Sequence, residues 1–246
     1  MLTVHVIGVG LVGPGLVNAA ALAPGWVRSA TVIPAPARLP ATERRRAGPV
    51  VKLAIEVAGQ ACDAAGLDPA TLPTVFTSST GEPSNCHALC EALAQPERLV
   101  SPTRFTNSVH NAAAGYWHIA TASRAPSTSL AAFDASFGAG LLEAAAQCVA
   151  GAQPVLLVAC DVPYPEPLHA KRPLPDSFGV ALVLAPQGAG PRLAIECSAG
   201  EAMRCDDPAL EALRATIPAA RALPLLQALA APRMVQLDDL LITVGA

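Results

Sequence analysis

Along this chain, short and nearly continuous apolar segments alternate with stretches whose apolar positions recur every three or four residues. The first pattern predicts buried strands and the second amphipathic helices. Residues 2–7 (LTVHVI) read as a strand, and 50–66 read as a helix that stops at Gly66. Residues 74–77 form a strand running into the turn Ser79-Thr80-Gly81. A helix is expected over 107–122, a strand over 128–133 and an alanine-rich helix over 139–150. The runs 155–160 (VLLVAC) and 179–184 predict two buried strands. Beyond Pro191 come a strand at 193–197, one or two helices between Pro208 and Ala230, and a closing strand at 240–244. Proline gathers between these elements, at 34–40, 163–175 and 186–191. Such alternation specifies an α/β layered fold.

Composition narrows the function. The 246 residues are 52% hydrophobic and 14% charged, which excludes disorder. Sixteen basic against 19 acidic residues give a net charge of -3, and the only basic tract is Arg44-Arg45-Arg46. That balance argues against a nucleic-acid partner. No apolar run approaches the roughly 20 residues that span a bilayer, and the N-terminus lacks the charged start of a signal peptide. The seven cysteines are odd in number and sit mostly in apolar segments, so they read as reduced thiols of a cytoplasmic protein. Cys86, His87 and Cys90 have no second Cys/His pair at finger spacing, so no metal site is expected. His110 and His118 fall eight apart within the expected helix, with no carboxylate to complete a ligand set, and read as interface residues.

Two motifs invite chemistry. Gly8-Val-Gly10-Leu-Val-Gly13 follows a strand, as in dinucleotide-binding folds. Here Pro14 and Gly15 interrupt the helix that should follow, and the first acid in the chain is Glu43, so a tight structural turn is the better reading. Asp134-Ala-Ser136-Phe-Gly138 lies between a strand and a helix, the setting of a nucleophile elbow. Asp161 and His169 follow in hydrolase order but only eight residues apart, too close for separate triad loops. A serine esterase or acyltransferase using Ser136 is the alternative function.

Taken in order, several segments resemble the N-terminal half of a β-ketoacyl synthase, a thiolase-superfamily enzyme. They are the opening strand with VIGVG, Arg44-Arg-Arg with Lys52-Leu-Ala-Ile and Asp63 to Pro69, Val75-Phe-Thr-Ser-Ser-Thr-Gly81, Ser101-Pro102 through Asn107-Ser-Val-His-Asn111 to Gly115, and the strand–elbow–helix from Thr128 to Leu141. The resemblance covers residues 1–185 and leaves 186–246 as a short C-terminal remnant of a single ketosynthase-like domain. It implies a thiolase-like layered fold.

The departures are equally informative. The family's nucleophile is a cysteine at the elbow, whereas this chain has none between Cys90 and Cys148. Phe137 or Ser136 falls at the vestigial position. The family's two catalytic histidines belong to its C-terminal half, and no histidine follows His169 here. The resemblance therefore implies a non-catalytic subunit that binds no cofactor or metal. Such a chain length factor, of the aryl polyene or xanthomonadin pigment type, would heterodimerise with an active β-ketoacyl synthase and be visited by acyl carrier protein. Strand 128–133 is the expected unpaired edge. Phe105, His110, Asn111, Tyr116 and Trp117 would face the partner's acyl tunnel, together with Phe133 and Phe137. Large side chains there would limit acyl length, because packed interiors tolerate little excess volume.

Overall fold

The computed structural model describes residues 1–245. Eight strands form one mixed sheet: β1 (Leu2–Val12), β2 (Thr74–Thr77), β3 (Ser127–Leu130), β4 (Val155–Asp161), β5 (Phe178–Ala185), β6 (Arg192–Cys197), β7 (Met234–Leu237) and β8 (Leu240–Gly245). Their spatial order is β3-β2-β4-β5-β1-β6-β8-β7. Strand β2 lies parallel to both β3 and β4, while β5 runs antiparallel to β4 and β1. Strand β3 therefore ends the sheet with one side unpaired.

Helices cover both faces, which is why the central strands read as unbroken apolar runs. Successive side chains of a strand point to opposite faces. Accordingly Leu156, Val158 and Cys160 of β4 enter a core with helices α2 (Pro49–Ala65) and α5 (Ala112–Thr121). Val155, Leu157 and Ala159 enter the other, with α6 (Ser136–Gly151), α7 (Pro208–Thr216) and α8 (Leu223–Ala230). The remaining helices are α1 (Ala41–Arg46), α3 (Pro83–Ala94) and α4 (Pro102–Thr106).

Helix α2 begins with Pro49, whose missing N–H would be unpaired there in any case, and ends on Gly66 at φ 65°. Glu82 completes its start by accepting the Val51 N–H at 3.0 Å. Burial raises the Glu82 carboxyl above its ordinary range, against the pull of the Val51 and Val50 amides.

The glycine motif is not a loop. Gly8 and Gly10 lie inside β1, where α2 crosses so closely that a Cβ on Gly10 would sit 1.9 Å from the Val57 carbonyl oxygen. Gly13 and Leu16 exchange backbone hydrogen bonds of 2.8 and 2.9 Å around Pro14-Gly15, and that is the tight turn. Of the helix expected over 107–122 only Ala112–Thr121 forms, as α5; Asn107 to Asn111 are the link from α4. His110 therefore precedes α5 and shares no helix face with His118. No helix is long and apolar enough to cross a membrane among the described residues.

Candidate functional site

The parallel strands β2, β3 and β4 end on the same side of the sheet, where the polar side chains gather. Past β2, the Ser78 hydroxyl accepts the amides of Thr80 and Gly81 at 3.2 and 3.0 Å, tightening the turn. At the end of β4, Asp161 is 1% exposed and saturated. Its Oδ1 accepts the Ser79 N–H at 2.8 Å and the Ser78 hydroxyl at 3.2 Å, and its Oδ2 accepts the Ala219 N–H at 2.8 Å. Burial raises the Asp161 carboxyl, while these donors pull it down. Asp161 thus ties three chain segments together.

Strand β3 stops at Leu130. Phe133 then takes φ 52°, a left-handed conformation that is an outlier for a bulky residue, and α6 starts at Ser136. This strand–turn–helix with a strained apex has the geometry of a nucleophile elbow. Ser136 does not sit at the apex. Its hydroxyl donates to the Phe133 carbonyl at 2.7 Å and accepts the Ala132 amide at 3.1 Å, bracing the turn from inside. Both Ser136 and Phe137 are 1% exposed, whereas Phe133 is 65% exposed. The apex therefore lies three or four residues earlier than the sequence suggested.

Arg172 closes over this apex. Its guanidinium carbon is 3.6 Å from the Phe133 ring centroid and 5.9 Å from that of Tyr164. The same side chain donates to Asp134 Oδ1 at 2.5 Å and to Ser79 Oγ at 2.8 Å. The second Asp134 oxygen is 3.5 Å from Arg221, which in turn holds Asp238 at 2.6 Å. Nearby, His110 Nε2 lies 3.2 Å from the Ser78 carbonyl oxygen, beside a cavity of about 20 Å³ between α2, β2 and β4. That volume suits a single water.

The hydrolase constellation does not assemble. Ser136 is spent on backbone, Asp161 binds Ser78, Ser79 and Ala219, and His169 Nδ1 has no hydrogen-bond partner. No group of three or more metal-ligating side chains comes together among the described residues. Cys160 beside the cavity is buried, and that burial pushes its thiol well above its ordinary value.

Residues 19–238 match the family model of the β-ketoacyl synthase N-terminal domain. The chain belongs to this family. The match agrees with the layered, thiolase-like architecture described above. Among solved structures, the chain is similar to the ketosynthase (ApeO) in complex with its chain length factor (ApeC) from Xenorhabdus doucetiae, at 24% identity and TM-score 0.75, covering 100% of both chains. It is also similar to the ishigamide ketosynthase/chain length factor, at 16% identity and TM-score 0.64, over 99% of this chain and 98% of that one. A third is AntDE:AntF, a type II PKS acyl-carrier protein in complex with its ketosynthase bound to the hexaketide. It shares 17% identity at TM-score 0.60, over 75% of this chain and 63% of that one. A search of curated proteins found no match.

Within this ketosynthase-like fold, the residues expected at the tunnel or interface divide into two groups. Phe105, at 69% exposure, and also His110, Asn111 and Phe133 lie on the surface. Tyr116, Trp117 and Phe137 are core residues. Tyr116 and Trp117 turn inward because α5 packs against α2, and the Tyr116 hydroxyl donates to Asn107 at 3.1 Å. Sequence reading missed Arg172 and Arg221, which lie 38 residues beyond Asp134 and 17 before Asp238 in the chain and meet these partners only in the fold.

Proposed function

We propose that this chain is a non-condensing subunit that pairs with an active β-ketoacyl synthase and sets the length of its product, as a chain length factor of the aryl polyene type. The observation that carries this reading is Phe133 at the strained apex of the elbow, where a nucleophile would have to stand to attack a thioester. A phenyl ring has no nucleophilic atom and no thioester can form on it. The lack of any cysteine between Cys90 and Cys148, and of any histidine after His169, supports the same conclusion. Similarity to structures that pair a ketosynthase with a chain length factor supports it further.

The partner would pair along the open side of β3, whose backbone groups are a ready template for another strand. Exposed Phe105 and Val109 would lie toward the partner's acyl tunnel, and acyl carrier protein would bring the growing chain to the complex in the cytoplasm. Residues 1–185 would supply this scaffold, with 186–246 as its reduced C-terminal remnant. The test is reconstituted elongation with a ketosynthase of the same pathway. The complex should make a product of defined length that neither chain makes alone, and Phe105→Ala should shift that length. A ketosynthase giving the same product without this chain would overturn the proposal.

A further inference from the structure

A phenylalanine in left-handed backbone, at 65% exposure, gains little for its own fold beyond a guanidinium on one ring face, and Asn or Gly would adopt that backbone at lower strain. Four separate segments nevertheless hold it in place. Arg172 covers one ring face at 3.6 Å, while its Nη2 donates to both Asp134 at 2.5 Å and Ser79 at 2.8 Å. Asp134 is shared with Arg221, which Asp238 anchors at 2.6 Å. The backbone of Arg172 is fixed as well, donating to the Leu168 carbonyl at 2.9 Å. With its charge answered inside the chain, the guanidinium presents no demand for an acidic partner, and the free ring face presents an apolar one.

We propose that Arg172 is a positioning residue: it locks Phe133 outward as a rigid aromatic anchor, which an apolar cleft of the ketosynthase subunit buries beside the β3 edge. Rigid, centrally placed aromatics dominate binding energy at protein interfaces. Continuity supports this partner, because only Ala131 and Ala132 separate the ring from the unpaired strand. The inference rests on the ketosynthase-partner reading and adds to it the residues that carry the affinity.

The experiment is a double-mutant cycle on the dissociation constant of the complex with a ketosynthase of the same pathway. Phe133→Asn keeps the left-handed backbone and should leave the melting temperature of the isolated chain in place, while weakening the complex about 30-fold. Arg172→Ala should weaken it about fivefold, with Arg172→Lys, which lacks the planar guanidinium that stacks on the ring, recovering only part. In the Phe133→Asn background, Arg172→Ala should add nothing, since the arginine acts through the ring. Wild-type binding with Phe133→Asn unchanged, or additive losses in the cycle, would overturn this inference alone. A wild-type chain that binds no ketosynthase would overturn the function reading and this inference with it.

Discussion

Two places in the molecule show opposite solutions to a backbone problem. Where β1 meets α2, side chains are excluded, and glycine stands where even a methyl group would collide with the Val57 or Ala61 carbonyl. At the elbow, the backbone takes the left-handed form that glycine adopts freely, and the chain places a phenylalanine there. The first is a packing solution, and its glycines carry no chemistry despite their phosphate-loop spacing. The second is strain whose described reward is the Arg172 guanidinium on one ring face, and such strain tends to persist at functional positions. The glycine motif has the spacing of a binding site and is packing, whereas the strain sits at the phenylalanine.

Substitutions can break or sharpen this contrast. The largest effect is expected at Gly10→Ala, which forces α2 off the sheet. It should cost about 3 kcal/mol or more in chemical denaturation, or abolish soluble expression. Asp161→Ala should follow at about 2–3 kcal/mol, because it strands the Ser79 and Ala219 amides without acceptors. At Gly66, φ 65° matches the backbone of Phe133, so Gly66→Ala should cost about 1 kcal/mol. Phe133→Asn at the same kind of backbone should cost the isolated chain almost nothing. If it instead cost as much as Asp161→Ala, the ring would be structural and the contrast would fail.

The smallest effect concerns pH and a carboxylate unlike Asp161. Arg214 grips Glu211 with two bonds of 2.7 Å and lowers its pKa to about 2. A depressed carboxylate stabilises the fold above its unfolded pKa and loses that contribution as pH falls toward 2. Denaturation midpoints should therefore fall less steeply between about pH 4.5 and 2 in Glu211→Gln than in the parent. Asp161 runs the other way, because its carboxyl is raised by burial.

Much of the fold was legible because its signals are local. Strand β5 is apolar throughout and β4 is apolar up to its last residue, Asp161, and α2 carries both its apolar stripe and its glycine stop. Helix α3 escaped notice because it buries only Pro83 and Leu89, too few positions to make a stripe. The elbow register slipped for a physical reason: Leu130 to Phe133 has strand-forming ends, and nothing local says that pairing stops at Leu130. Tyr116 and Trp117 are bulky rings in a helix, and sequence alone does not say which face they occupy. The Arg172–Asp134–Arg221 frame is long-range by construction and becomes visible only when the segments that follow β3 and β4 converge with the 218–222 turn.

The most direct test of the account is native mass spectrometry of the chain co-expressed with a ketosynthase of its own pathway. The account predicts a one-to-one complex as the dominant species. A monomer or homodimer of this chain, beside a ketosynthase that has assembled without it, would contradict it.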